Sequence, residues 1–260
     1  MYEILAEEFG ITVKYHEVAS STNDLAAQHG CGAGTVIVAE RQSAGRGQRG
    51  NSWTSPAGEN LTFSVVLEPE FLKANMQFYI SKITALALAG AIASLGLRSS
   101  IKWPNDIYIG DKKTAGILIE NDIMGRNMAR SIIGIGLNVN QRRFDPSLPN
   151  PTSLAVEAGG IFDRGDILRR VIKNLSDRYG QLTDGETGRL DADYRRLLYR
   201  LDEEHSFVDV GEGKKFRGII RSVMPTGELE VEHVGKNQAG SPAEAGPVKS
   251  YLFKEVEFLF

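Results

Sequence analysis

The chain has 260 residues, 30 Lys+Arg against 33 Asp+Glu, and a formal net charge of −3. That length carries one large domain or a medium and a small one, with enough chain to bury a real core. The near-neutral balance argues against a mainly electrostatic nucleic-acid binder, and a single cysteine, Cys31, excludes an intrachain disulfide or a cysteine-built zinc cage.

The N-terminus, Met1 to Glu8, carries acid where a signal peptide needs base, and the stretch Ile83 to Ala93 reads as too short to cross a bilayer. The expectation is a reduced, cytoplasmic protein without a membrane partner. In chain order, Val13 to Val18 reads as a strand, followed by capping residues Ser20 to Asp24 and a helical run from Leu25 to His29. Thr35 to Glu40 is a buried strand, a loop rich in Gly and Arg spans Gln42 to Gly58, and Asn60 to Leu67 is again a strand. Met76 to Leu95 has apolar residues on most faces, which predicts a buried helix. Ser99 to Ile109, Thr114 to Asn121 and Ser131 to Asn140 read as strands, with a hairpin turn at Gly110 to Lys113. Two amphipathic helices, Arg164 to Leu182 and Leu190 to Glu204, lead into short strands from Phe207 to Phe260, interrupted by a polar loop from Gly235 to Pro247. The pattern predicts an α+β fold with two domains, 1–205 and 206–260, the second a small barrel.

The chain has 28 glycines, above the usual share of roughly 7%. Gly45-Arg46-Gly47-Gln48-Arg49-Gly50 matches G-x-G-x-x-G, but the following Asn51 to Gly58 cannot sustain the helix that a dinucleotide loop must open. Free backbone N–H groups, Arg46, Arg49 and the flat face of Trp53 suit a loop closing over a nucleotide's phosphates and ring. They suit a surface hairpin with incidental arginines equally well. Lys102-Trp103-Pro104-Asn105-Asp106 puts proline inside a strand-like run, which needs an edge or bulge. Lys113 stands at a strand mouth with Gly116 allowing close backbone approach, although a turn lysine beside Lys112 reads the same way. Gly134 to Asn140 is a strand with two glycines and a periodic amide.

Taken together, Ser21-Thr22-Asn23, Ala39 to Gly50, Lys102 to Asp106, Lys113 to Glu120 and Gly134 to Asn140 resemble the biotin protein ligases, in that family's order and approximate spacing. The resemblance implies a class II synthetase/biotin ligase-like sheet, mixed and mostly antiparallel with helices on one side, followed by an SH3-like barrel. It implies activation of biotin by ATP to biotinyl-5′-AMP, then transfer to a lysine of a biotin carboxyl carrier domain, as in acetyl-CoA carboxylase. By the same resemblance Ser21, Thr22, Asn23 and Gln42 contact biotin's ureido ring, while Gly45, Arg46, Gly47 and Gln48 meet its carboxylate and the α-phosphate. Lys113 and Arg46 are the catalytic candidates, and Gly116 and Gly134 line the biotin slot. Arg49, Trp53, Asn105, Asp106 and Asn138 fall on the nucleotide side, with Mg²⁺ near Asp106.

Two departures accompany the resemblance. Gln48 stands where many members carry a second arginine, and the catalytic pattern starts within the first 20 residues, which leaves no room for the DNA-binding domain of bifunctional members. A monofunctional ligase without DNA contact is therefore expected, and a homodimer through the sheet's free edge is plausible. The alternatives are a lipoate or octanoate ligase or transferase of the same superfamily and a non-catalytic ligand sensor.

Overall fold

In the computed structural model, residues 2–235 and 246–259 are described, so most of the predicted Gly235 to Pro247 loop lies outside them. The elements run α1 (Tyr2–Phe9), β1 (Thr12–Ala19), α2 (Thr22–Ala26), β2 (Thr35–Gln42), β3 (Leu61–Leu67), α3 (Phe78–Ala93), β4 (Ser100–Lys102), β5 (Asp106–Ile109), β6 (Lys112–Met124) and β7 (Asn127–Leu137). They continue with α4 (Leu154–Ala158), α5 (Arg164–Thr183), α6 (Thr187–Arg196), β8 (Glu204–Asp209), β9 (Lys214–Val223), β10 (Leu229–His233), β11 (Val248–Tyr251) and β12 (Val256–Phe258).

Seven strands form one sheet in the order β1-β2-β3-β7-β6-β5-β4; β1 and β2 are parallel and every other pair is antiparallel. The mixed, mostly antiparallel sheet expected from the sequence is present. Side chains alternate between the two faces of a strand, and the core follows that period. Val36, Val38, Phe63, Val65, Ile133, Ile135, Ala115 and Ile117 share one cluster with α3 and α5. The long helices therefore cover one face. Short α2 lies on the other, where Leu25 and Ala26 pack against Ile37, Val66 and Ile132.

Several local features differ from the sequence expectation. The run Ser99 to Ile109 is two strands, because Pro104, preceded by a cis peptide bond, supplies no N–H to a continuous ladder. The helix expected at Leu25 to His29 begins earlier, at Thr22, and Ser21 makes no side-chain cap. The last amphipathic helix ends at Arg196, and α1 and α4 were not anticipated. By length and composition, Ala74–Ala93 could cross a membrane, which revises the shorter reading; in the fold 67% of that window is buried.

The second sheet has five antiparallel strands in the order β11-β10-β9-β8-β12. It is anchored to the first by Trp103, whose Nε1 donates to the Gly227 carbonyl at 2.9 Å and whose ring meets Phe253 edge-on at 6.1 Å. Buried Lys82 on α3 adds a 2.7 Å ion pair to Asp191 at α6 and reaches the Val223 carbonyl of β9.

Candidate active site

The face of the sheet opposite α3 and α5 is floored by small and polar residues. Across three strands, Thr62 pairs with Gly136 and Gly136 with Gly116, while Ser64 pairs with Gly134 and Gly134 with Leu118. Missing side chains at the glycines leave a trough, and each is filled. A Cβ at Gly134 would overlap the Asn23 carboxamide, and one at Gly136 would overlap the Trp53 indole. At Gly116 a Cβ would come within 3.1 Å of the same ring and 3.5 Å of Lys113 Nζ.

One end of the trough holds a neutral polar cluster. Gln42 Oε1 accepts from Thr22 N at 2.7 Å and from Thr22 Oγ1 at 3.2 Å. Ser64 Oγ sits 2.7 Å from Thr22 Oγ1 and 2.6 Å from Asn23 Oδ1. With the Gln42 oxygen engaged, its amide NH₂ is left as a donor at the pocket. The far, C-terminal end of α2 is tied down by Arg130, which donates to the Ala26 carbonyl and, at 2.8 Å, to that of Cys31.

The other end is cationic. In β6 the ladder with β5 shifts register between Ile107 and Tyr108, so that Ala115 pairs with Ile107 and Lys113 with Tyr108. The extra residue, Thr114, re-aims the chain, and Lys113 joins Gly116 on the site face. Lys113 Nζ is 2.6 Å from Asp106 Oδ1 and 5.8 Å from the Trp53 ring centroid. Lys102 also lines the pocket, with its Nζ 5.5 Å from the Tyr108 ring and 4.9 Å from that of Phe258. Burial pushes its ammonium below the usual lysine range.

The glycine loop closes over both ends as a hairpin. Trp53 N donates to the Gly45 carbonyl at 3.0 Å and Gly47 N to that of Asn51 at 2.7 Å, around a 3₁₀ turn at Gln48–Gly50. A Cβ at Gly45 would overlap the Trp53 carbonyl, so this glycine serves the loop's closure. Arg46 pairs with Glu120 at 2.8 and 3.0 Å and with Asp24 at 2.7 Å. The Glu120 hydrogen bonds hold the guanidinium firmly in its charged form, above its ordinary range.

The pocket thus brings together Ser21, Thr22, Asn23, Gln42, Arg46, Gly47, Gln48, Trp53, Asn105, Asp106, Lys113, Gly116 and Gly134. Asn138 is not among the lining residues, and its Nδ2 donates to the Thr152 carbonyl at 2.9 Å, fastening the end of β7 to the following segment. Gly45 also stands outside the lining, and the Arg49 side chain is outside the described residues. Sequence reasoning missed Thr62, Gly136, Lys102 and Phe253, which line the pocket, and Ser64, Asp24 and Glu120, which hold its groups. Polar alternation in Leu61-Thr62-Phe63-Ser64-Val65 was the available signal for the first of these. Among the described residues, no group of three or more His, Cys, Asp or Glu side chains could hold a metal ion.

The Biotin/lipoate A/B protein ligase family model matches residues 15–138, which contain every strand that floors this pocket. Over those residues the chain is similar to this family. The bifunctional ligase/repressor of Bacillus subtilis is 35% identical over 68% of the chain and 57% of its own length. The biotin–[acetyl-CoA-carboxylase] ligase of Mycobacterium tuberculosis is 29% identical over 85% of the chain and 82% of its own length. The chain therefore spans little more than half the length of the bifunctional relative. Among solved structures, a biotin protein ligase from Aquifex aeolicus in complex with biotin and ATP superposes with a TM-score of 0.75 at 26% identity, covering 95% of this chain and 97% of that one. That likeness extends over nearly the whole chain, well beyond the residues the family model matches.

Proposed function

We propose that the protein is an ATP-dependent ligase that activates biotin as biotinyl-5′-AMP and transfers the biotinyl group to a lysine of a biotin carboxyl carrier domain. The observation that carries this reading is a single trough with a neutral amide–hydroxyl cluster at one end and Lys113 and the Arg46 loop at the other. A ureido ring needs paired donors and acceptors of that kind. Lipoate or octanoate would leave the Thr22, Asn23 and Gln42 groups facing an apolar tail, and unpaired buried polar groups reject such ligands strongly.

A free carboxylate is a poor electrophile, and activating it brings two anions together. The biotin carboxylate oxygen attacks the α-phosphorus of ATP, pyrophosphate leaves, and a mixed anhydride results. Lys113 and Arg46 supply the positive charge that this transition state gathers. Arg46 exchanges its carboxylate partners for the incoming anions, and Lys113 does the same with Asp106. Trp53 offers its face to the adenine as the loop resettles. The carrier's lysine then attacks the acyl carbon and AMP leaves.

Magnesium bound with ATP would be held by the phosphates and by Asp106, the one carboxylate among the residues lining the pocket. Such a donor set suits a cation that keeps several waters. It would supply charge neutralisation on the phosphates. The carrier and a second copy of the chain both find an extended edge at β1, which ends the seven-stranded sheet.

The test is pyrophosphate release from ATP with biotin, lipoate or octanoate. Biotin should support turnover, and Lys113→Ala should lower it by roughly 10²–10³-fold. Turnover with lipoate alone would keep the fold and move the substrate. No turnover with any acid would overturn the reading.

A further inference from the structure

Glu120 touches both ends of the trough without lining it. Its Oε2 accepts from Asn23 Nδ2 at 2.7 Å and from Arg46 Nη2 at 3.0 Å, and its Oε1 accepts from Arg46 Nη1 at 2.8 Å. The Asn23 amide also reaches the Leu118 carbonyl at 3.4 Å. A carboxylate and a carbonyl only accept, so the NH₂ of Asn23 must face them and its oxygen must face away. That oxygen takes the Ser64 hydroxyl at 2.6 Å, which leaves one lone pair for the pocket. Gly134 beneath it makes the room that the carboxamide occupies, since a Cβ there would overlap the Asn23 oxygen.

We propose that Glu120 is a positioning residue: it locks the Asn23 amide with its oxygen toward the pocket, selecting a ligand that presents an N–H there. The proposal rests on the biotin reading above, because the ureido ring supplies such an N–H. The same carboxylate also holds Arg46 until the incoming anions take the guanidinium over, so the contact that persists with ligand bound is the one to Asn23. With Oε2 shared and Oε1 on Arg46, a neutral replacement can keep the Asn23 contact but not the full pairing with the guanidinium.

A double-mutant cycle with Asn23 separates this role from a general loss of structure. The Glu120 side chain is 39% exposed, so Glu120→Ala should fold. Biotin affinity is measured by calorimetry without ATP, and KM and kcat by pyrophosphate release. Glu120→Ala should weaken biotin binding and raise the biotin KM about tenfold, with kcat within about threefold of wild type, the scale of one oriented hydrogen bond. Glu120→Gln, which retains an oxygen toward Asn23, should return the KM to within about threefold of wild type. In an Asn23→Ala background, Glu120→Ala should add less than about twofold. Unchanged biotin affinity in Glu120→Ala, or full additivity with Asn23→Ala, overturns the positioning role while leaving the ligase reading intact. A wild type that neither binds biotin nor turns it over overturns the ligase reading and this inference with it.

Discussion

The two faces of the seven-stranded sheet are written by the same residues of sequence, taken alternately. On β3, Leu61, Phe63 and Val65 enter the core under α3 and α5, whereas Thr62 lines the pocket and Ser64 bonds its amide cluster. On β7, Ile133, Ile135 and Leu137 belong to the core, and Gly134 and Gly136 to the trough. One face is chosen for buried apolar area and the other for space. Removing bulk from the first should cost stability, and adding bulk to the second should cost function.

Neighbouring rows give the largest expected contrast. Phe63 is 0% exposed, and Phe63→Ala should lower unfolding free energy by about 3–5 kcal/mol while leaving the biotin KM near wild type. Gly136→Val places a branched side chain where the Trp53 indole lies, in an extended strand that accepts such a residue readily. It should fold, yet lose roughly 100-fold in biotin-dependent turnover, about 2.7 kcal/mol in transition-state stabilisation. Denaturant titration and pyrophosphate release on both variants check the pair. If Gly136→Val unfolds and Phe63→Ala alters KM instead, the division of labour between the faces is wrong.

Ion pairs sharpen the same contrast at a smaller scale. On the helix-covered side, Arg164 grips Glu40 with two hydrogen bonds of 2.7 and 2.8 Å, joining α5 to β2. These bonds hold the Glu40 carboxyl below the usual carboxylate range. Because the folded value is depressed, the stabilisation is complete above an unfolded value of 4.5 and is lost as pH falls through the folded one. Glu40→Gln should cost about 1–2 kcal/mol at neutral pH. The difference in melting temperature from wild type should shrink below pH 4.5. A gap that persists in acid would mean that the loss is packing rather than charge. On the open side, Arg46 forms comparable bonds with Asp24 and Glu120, but its side chain is 43% exposed. Under the proposed ligase mechanism that pair is exchanged for a ligand, and at such exposure it contributes little to holding the fold.

The strands of the core face were legible because burial imposes a period of two, and the glycine loop because Gly and Arg clusters are rare elsewhere in the chain. The position of Lys113 was legible only as a residue in a motif. What turns it into the site is the extra residue at Thr114, and a bulge leaves no mark in the hydrophobic pattern. The surroundings of Asn138 were hidden for the converse reason. A periodic amide beside two glycines looks like a ligand contact, yet its partner, the Thr152 carbonyl, comes from a loop that sequence spacing does not place. Asp24 read as part of a capping run and Glu120 as the end of a motif, and their pairing shows only when the loop folds back and brings Arg46 between them.

The smallest expected effect concerns Gln48, the neutral residue between the loop's two arginines. Gln48 opens the 3₁₀ turn and lines the pocket, and its Oε1 is buried without a hydrogen-bond partner. A buried acceptor left open is costly in a finished core, but on the site face it marks a position that ligand or loop rearrangement completes. A neutral amide there holds a phosphate less tightly than a guanidinium, which offers paired, charged donors. Gln48→Arg should therefore slow escape of biotinyl-AMP roughly fivefold, the worth of about 1 kcal/mol. The measurement is the appearance of free adenylate in filtrate when carrier is withheld. Escape at the wild-type rate would place retention in the rest of the loop and leave Gln48 without a role in it.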